Sequence, residues 1–232
     1  MTSDTRWTRP EPLYPAVITV LDALLRIVCR VRVGGHPLPR TGPVVAANHV
    51  HQLDAVVLAS VAHWQGRRIR FLALANLWDI PGLGWVLRKG RMIPVHRGHG
   101  PERMVADARR ALGAGQAVLI YPEGRLPRGD AHPDARPGTG LLALTADAPV
   151  VPMAMWGLGA IGSTGRLRRR LGVVIGVPID LARWDGRTDP AAAHEAADAI
   201  LAAVRAVLPR AEALARDRPF TSRGGTSPPP SG

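Results

Sequence analysis

The segment from Val44 to Leu58 constrains the fold more than any other part of this chain. It begins with a short apolar run, Val44 to Ala47, passes through the polar residues 48–52, and becomes apolar again. A continuous apolar run of this length predicts a buried strand, and the second apolar stretch predicts a helix. The segment therefore indicates a strand, a polar corner and a helix, which is the repeating unit of α/β domains.

The polar corner contains His49, and Asp54 follows five residues later. Five residues turn an α-helix by about 500°, so two helical residues at this spacing would face different directions. The side chains can meet if His49 lies in the loop and Asp54 in the first helical turn. The carboxylate would then hold one ring nitrogen and leave the other free to take a proton. The alternative is that Asp54 only stabilises the N-terminus of the helix.

The composition of the 232-residue chain limits the class of protein. The hydrophobic fraction of 46% and a mean hydropathy near zero are typical of a globular protein that is not a polytopic membrane protein. The single cysteine, Cys29, excludes an internal disulfide, and no cleavable signal sequence is present, so we expect a reducing cytoplasmic location. The net charge of +12 calls for an anionic partner: nucleic acid, anionic lipid or a phosphorylated substrate.

Nucleic acid is the least favoured of these partners. Aromatic residues make up 4% of the chain, and basic residues do not alternate with them to form a stacking surface for bases. We therefore expect an anionic membrane surface or a phosphorylated substrate, and no nucleic acid.

The N-terminal region has a helical pattern from Tyr14 to Val31, with apolar residues at helical spacing. Three charges, on Asp22, Arg26 and Arg30, exclude a membrane-spanning segment. Two interpretations remain open: an amphipathic helix on the membrane surface, or a helix packed on the domain core.

The remaining pattern alternates strands with helices and predicts one α/β domain, a central mixed β-sheet flanked by helices. The predicted strands cover 30–34, 44–47, 69–73, 92–95, 117–121, 149–155 and 171–177. The predicted helices extend from the corner to about 64 and cover 102–114, 139–146 and 189–208; 81–87 is a short helix or turn and 125–138 a long loop. We expect an arm and amphipathic helix over 1–33, the domain over 34–216 and a disordered tail over 217–232.

Four short motifs follow one another along the domain, each at the end of a predicted strand or within one. They are Asn48-His49-x4-Asp54, Gly90-x-x-Ile93-Pro94-Val95-x-Arg97, Tyr121-Pro122-Glu123-Gly124 and Val150-Val151-Pro152. In order and approximate spacing they resemble the four blocks of the lysophosphatidic acid acyltransferase (PlsC-type) family, over roughly residues 33–180. Active-site residues of α/β folds gather where strands end, which agrees with this placement.

The resemblance implies an O-acyltransferase of phospholipid biosynthesis, which moves a fatty acyl group from acyl-CoA or acyl carrier protein to a lysophospholipid hydroxyl. His49 would be the general base and Asp54 would orient it. Arg97 and the Glu123-Gly124 turn would bind the acceptor, and the fourth block would shape the acyl slot. No metal or redox cofactor is implied, and the enzyme is expected as a peripheral protein on the cytoplasmic face of the cell membrane.

Two positions depart from the family pattern. The third block usually continues Thr-Arg-Ser, whereas this chain continues with Arg125 and then Leu126 at the position of the family's arginine. Arg125 or Arg128 is a candidate substitute, so the identity of the acceptor stays open. In the second block His96 stands where Asp is common, which makes that strand end more basic.

Three alternatives stay open at this point: a homologue that binds lipid with weak turnover, an acyltransferase for a non-phospholipid acceptor, and a metal-dependent hydrolase. The last follows from His49-x-His51, which resembles the start of the zinc motif of metallo-β-lactamase-like hydrolases. However, Leu53 stands where the metal-binding Asp should be, and Asp54 where the third His should be. The sequence therefore favours the acyltransferase over the hydrolase.

Overall fold

The computed structural model describes residues 13–96, 98, 100–126, 134–158 and 169–216. The helices are α1 (Leu13–Val28), α2 (Asp54–Trp64), α3 (Leu83–Lys89), α4 (Glu102–Gly113), α5 (Pro137–Thr145) and α6 (Pro190–Arg216). The strands are β1 (Cys29–Gly35), β2 (Val44–Ala47), β3 (Ile69–Leu74), β4 (Ile93–Val95), β5 (Ala117–Ile120), β6 (Val150–Trp156) and β7 (Arg169–Ile175). Short 3-10 turns cover Ala75–Asp79 and Ala182–Trp184.

The strands form a single seven-stranded mixed sheet in the order β1-β7-β6-β2-β5-β3-β4. Strands β4, β3, β5, β2 and β6 are parallel to their neighbours, and β7 is antiparallel to β6. Strand β1 is parallel to β7 and therefore runs against the five parallel strands. The predicted fold class, an α/β domain with a central mixed sheet, is confirmed.

The central strands are buried on both faces. In β2 the side chains of Val45 and Ala47 belong to the hydrophobic cluster under α1 and α2, and those of Val44 and Ala46 to the cluster under α4, α5 and α6. This alternation follows from the two-residue period of a strand. Strands covered on both faces read as continuous apolar runs, which is why the Val44 to Ala47 prediction has the observed bounds.

The sheet order places the predicted polar corner beside another motif. Strand β2 pairs with β5 on one side and with β6 on the other, and Ala46 is in register with both Ile120 and Pro152. Because these strands are parallel, the residues after Ala47 and Ile120 emerge at the same edge of the sheet. We call this the catalytic edge, because the family resemblance implies a catalytic role for His49 in the loop that emerges here.

The N-terminal part of the fold differs from the sequence prediction. Helix α1 ends at Val28, because the chain from Cys29 onward pairs along its whole length with β7. Strand pairing, a long-range interaction, overrides the local helical pattern here. Strand β1 also spans the expected boundary between residues 33 and 34, so the described part of the predicted arm continues directly into the sheet.

Helix α6 is longer than predicted and continues through Pro209 to Arg216. A proline inside a helix removes one backbone hydrogen bond. The helix nevertheless continues, since Ala211 and Ala215 are buried against β7, where Gly172 leaves room for the helix backbone. At its start Asp189 caps the helix, because its side chain accepts a hydrogen bond from the Ala192 N–H at 3.0 Å.

Several predicted segments lie outside the described residues: residues 1–12 of the arm, residues 127–133 of the long loop, which include the candidate Arg128, and the tail 217–232. Across the helices that the structure does describe, none combines the length and the apolar character needed to cross a membrane.

We expect Gly172→Ala to destabilise the fold, because an added Cβ would lie 1.9 Å from the carbonyl oxygen of Ala211. Overpacking of this kind typically costs about 1–3 kcal/mol of the free energy of unfolding, measurable by urea denaturation. The matched control is Gly113→Ala in α4, where no atom lies within 4 Å of the added Cβ. Equal unfolding free energies for the two variants would contradict this packing role.

Candidate active site

The structure brings together the two residues that the sequence singles out. His49 lies in the loop after β2, and Asp54 is the first residue of α2, as predicted. The His49 Nδ1 atom lies 3.0 Å from Asp54 Oδ2. A carboxylate can only accept, so the ring donates from Nδ1 and Nε2 remains available as an acceptor. The Asp54 side chain is fully buried, whereas that of His49 is 19% exposed at the catalytic edge.

The Asp54 carboxylate also organises the backbone of the corner. Its Oδ2 atom accepts hydrogen bonds from the N–H groups of Val50 at 2.6 Å and of His51 at 2.9 Å. One buried oxygen therefore receives three N–H donors, two from the backbone and one from the imidazole. These bonds hold the loop and the ring of His49 in one arrangement. The carboxylate thus binds the loop that precedes α2, and among the described residues the start of the helix has no side-chain cap hydrogen bond.

Glu123, in the loop after β5, connects that loop to the corner that carries His49. Its Oε2 atom accepts a hydrogen bond from the His49 backbone N–H at 3.0 Å. Burial raises the pKa of Glu123, although the bond from the His49 N–H, together with the charges of His49 and Arg205, opposes that rise. Glu123 was predicted to bind the acceptor, which stays a prediction; the structure shows that one of its oxygens holds the loop that carries His49.

Asn48 is a site residue to which sequence reasoning assigned no role. Its amide donates to the carbonyl of Met155 at 2.9 Å and accepts from the Met155 N–H at 2.8 Å. This pair of bonds continues the β2–β6 pairing beyond the last strand residue, so His49 leaves the sheet at a defined point. The signal was present in the sequence, since a buried amide directly after a strand has to find backbone partners.

Tyr121 is a second residue to which the sequence analysis assigned no function. Its ring stacks on the imidazole of His49 with centroids 4.0 Å apart and planes inclined by 13°. Its hydroxyl is buried and has no hydrogen-bond partner among the described residues. Burial, with the nearby charges of Asp54 and Glu123, raises the pKa of Tyr121 well above its ordinary value. The phenol is therefore neutral at physiological pH.

Of the other residues predicted to bind the acceptor, the structure describes Gly124 and Arg125, and Arg97 lies outside the described residues. Gly124 has a positive φ of 63°, which favours glycine, and Arg125 is exposed beside it. The stem of Arg136, at the start of α5, crosses over Gly124: its Cγ would lie 2.8 Å from an added Cβ. Tertiary structure thus brings to this turn a second arginine, which its sequence position did not predict.

The fourth motif does not lie at the catalytic edge. Val150 pairs with Val44, the first residue of β2, and the three residues Val150, Val151 and Pro152 are buried within the sheet. Its side chains belong to the interior of β6, and the expectation that this motif shapes the acyl slot stays a prediction. Two surface clefts of about 420 and 450 Å³ also lie away from His49; their linings include Pro149 and Thr41. These clefts do not identify the acyl-binding surface.

Comparison with protein families gives one match that covers most of the sheet. The family model described as Acyltransferase matches residues 30–156, more than half of the 232 residues. The match includes β2, β5 and β6 and therefore the whole of the corner around His49.

Curated relatives and a solved structure agree with this match. The chain is 27% identical over 132 residues to the 1-acyl-sn-glycerol-3-phosphate acyltransferase BAT2, chloroplastic, of Brassica napus (56% of this chain, 37% of that protein). It is 30% identical over 126 residues to the lyso-ornithine lipid O-acyltransferase of Pseudomonas aeruginosa (54% and 46%). The chain thus spans less than half the length of these relatives. The crystal structure of the LPA acyltransferase PlsC from Thermotoga maritima has the same fold, with a TM-score of 0.61, 19% identity, and coverage of 84% of this chain and 79% of that one.

We expect Glu123→Gln to change the pH dependence of stability. A raised pKa means that the folded state disfavours the carboxylate, so the wild type loses stability relative to the amide variant as pH rises from about 4.5 through the raised pKa. The amide oxygen can still accept from the His49 N–H. Urea unfolding of both proteins between pH 4 and 7 measures the difference, since all other groups titrate in both. The raised pKa would be contradicted if the difference in unfolding free energy between the two proteins stayed constant, or if it changed in favour of the wild type, as pH rises.

Proposed function

This chain belongs to the Acyltransferase family, and from that premise we propose that it transfers a fatty acyl group from an acyl thioester to the hydroxyl of a lysophospholipid resembling lysophosphatidic acid. The observation that carries the proposal is the His49–Asp54 pair: an imidazole with Nδ1 held by a buried carboxylate and Nε2 left to accept a proton at the catalytic edge. An alcohol is a weak nucleophile at neutral pH and needs such a base.

In the proposed reaction His49 takes the hydroxyl proton while the alcohol oxygen attacks the thioester carbon. The tetrahedral intermediate collapses, the carbon–sulfur bond breaks, and the imidazolium returns the proton to the leaving thiolate. Asp54 stabilises the imidazolium and keeps the ring in one tautomer. The reaction uses only protein groups and the two substrates.

The oxyanion of the intermediate needs N–H or cationic donors. The backbone N–H groups of His49, Val50 and His51 each donate to a carboxylate. These three amides are therefore occupied, and we assign the oxyanion donors to groups outside this corner.

The acceptor would lie across the catalytic edge from His49. We propose that Arg97 and the Glu123–Gly124 turn form this side of the site, with Glu123 acting chiefly by holding the His49 loop. Arginine suits a phosphate monoester because its planar guanidinium can donate two parallel bonds. Where the family motif has its arginine this chain has Leu126, and Arg125 and Arg136 are the candidates that supply the charge at this turn.

The names of the relatives point to two acceptors, a 1-acyl-glycerol-3-phosphate and a lyso-ornithine lipid. Because this chain has Leu126 where the family motif has an arginine, a lyso-ornithine lipid is a specific alternative acceptor. We therefore propose an assay of labelled acyl-CoA and acyl carrier protein against lysophosphatidic acid, other lysophospholipids and a lyso-ornithine lipid. Turnover with lysophosphatidic acid supports the first proposal. Binding without turnover for every acceptor would identify the chain as a lipid-binding homologue.

We expect His49→Ala to lower kcat by about 10²–10⁴-fold, because general-base assistance is typically of that size. The variant should still unfold cooperatively, because the Val50 and His51 N–H groups continue to bind Asp54, but at a lower urea concentration, since the buried carboxylate loses its imidazole donor. His51→Ala is the matched control: it keeps the backbone N–H that Asp54 needs, and it removes a histidine that a metal-dependent hydrolase would use. Full activity of His49→Ala, or an equal loss in both variants, would contradict the proposed base.

We further propose that α1 contacts an anionic membrane. One side of α1 packs into the core through Tyr14, Ile18 and Leu25. Another side has an exposed α1 apolar stripe, made of Leu13, Val20, Leu24, Ile27 and Val28. Because these positions recur at helical spacing, they form one continuous surface. Core packing is thus a property of one face of this helix, and the proposed membrane contact would involve the other face.

The sheet topology supports this orientation. Strand β1 follows α1 directly, runs parallel to β7 and therefore against β6. It begins at the edge where β2, β5 and β6 end, so the C-terminal end of the α1 apolar stripe lies at the catalytic edge. Exposed Arg30 flanks this end and suits anionic headgroups, whereas Arg26 pairs with Asp22 at 2.8 Å. A bilayer bound there would present lysophospholipids to the site from the cytoplasmic face.

We expect the double variant Leu24→Ser/Ile27→Ser to bind vesicles of phosphatidylglycerol and phosphatidylcholine at least about tenfold more weakly, because each buried apolar side chain contributes roughly 1.5–3 kcal/mol. Co-sedimentation measures the partition coefficient. The control is Val177→Ser, an equally exposed apolar residue that follows β7 toward the opposite edge. Equal partitioning of the double variant and the control would contradict a membrane role for α1.

A further inference from the structure

The imidazole of His49 has two contacts that define its position, and only one of them belongs to the base–carboxylate pair. The hydrogen bond from Nδ1 to Asp54 fixes one atom of the ring. That bond breaks when the side chain turns about its Cα–Cβ or Cβ–Cγ bond, so a contact on the ring face that opposes such turns also keeps Nε2 in one direction. The second contact is the face of Tyr121, nearly parallel to the imidazole at a centroid distance of 4.0 Å.

We infer that Tyr121 is a positioning residue, whose ring face sets the plane of the His49 imidazole and so directs Nε2 toward the acceptor hydroxyl. This inference rests on the proposed function, in which His49 is the base. An aromatic face also favours a neighbouring cation, so the same contact stabilises the imidazolium that forms when His49 takes the proton.

The surroundings of Tyr121 show why its face is the functional part. The ring packs against the hydrophobic cluster under α1 and α2, which holds it at the end of β5. Its hydroxyl is buried, and among the described residues it bonds to nothing. The ring of Tyr121 can affect the reaction through its stacking on the His49 imidazole, and a phenylalanine ring would make the same contact.

Strand order makes this contact possible. Ala46 is in register with Ile120, so the residues that follow each strand emerge side by side. Glu123 on the same loop binds the His49 backbone N–H, which keeps the loop of β5 and the loop of β2 together. The β5 loop therefore positions the base twice, through the backbone by Glu123 and through the ring by Tyr121.

The test compares Tyr121→Phe with Tyr121→Leu in the full chain, using the acyl donor and acceptor that the acyl-transfer assay described above identifies. The free energy of an aromatic contact of this kind corresponds to about a two- to tenfold change in a rate constant. We expect Tyr121→Leu to lower kcat by that factor with KM unchanged, and Tyr121→Phe to keep kcat within about twofold. Equal losses in the two variants, or no loss in Tyr121→Leu, would overturn the inference. Tyr121→Met provides a second non-aromatic side chain if the leucine variant does not fold.

A double-mutant cycle separates an effect through His49 from a general structural effect. In the His49→Ala background, Tyr121→Leu should cause no further loss of the residual rate. A further loss of the same size would show that Tyr121 acts independently of His49 and would overturn the inference. If His49→Ala alone keeps full activity, the proposed function fails, whatever Tyr121 does. If His49→Ala loses activity and Tyr121→Leu does not, only the positioning role fails.

Discussion

A single buried carboxylate organises the corner on which the rest of the site depends. Asp54 Oδ2 accepts the ring of His49 and the backbone N–H groups of Val50 and His51. A buried charge is costly unless donors surround it, and here three donors converge on one oxygen at the N-terminus of a helix. The charge that would orient a catalytic base is therefore also the charge that shapes the loop. Structure and chemistry cannot be separated at this position.

The second carboxylate, Glu123, extends this arrangement across the sheet. It reaches from the loop of β5 to the backbone of His49, while Asn48 ties the same loop to β6. The corner after β2 is thus held from both neighbouring strands, which explains why a short loop can present a histidine in a defined orientation. Parallel strands make this possible, because their carboxyl ends meet at one edge. The basic residues near this edge, among them Arg136, are consistent with an anionic acceptor.

Most elements could be predicted from local patterns, and the failures have identifiable causes. The Val44 to Ala47 run has its observed bounds because a strand buried on both faces has to be apolar throughout. Helix α1 was predicted too long, since the residues from Cys29 onward pair with β7, over a hundred residues away. Helix α6 was predicted too short, because burial of Ala211 and Ala215 maintains the helix past Pro209. In each case a long-range contact outweighed a local preference.

In the site, too, some features follow from local sequence and others from long-range contacts. The five-residue spacing excluded a shared helical face for His49 and Asp54, and it allowed a contact with His49 in the loop and Asp54 in the first helical turn. The order of the strands, which depends on packing across the whole sheet, decided that Glu123 and Tyr121 would stand beside that pair. It also decided that the fourth motif would be buried and that α1 would end at the catalytic edge. No local pattern encodes which strands become neighbours, so these contacts exist only in the folded chain.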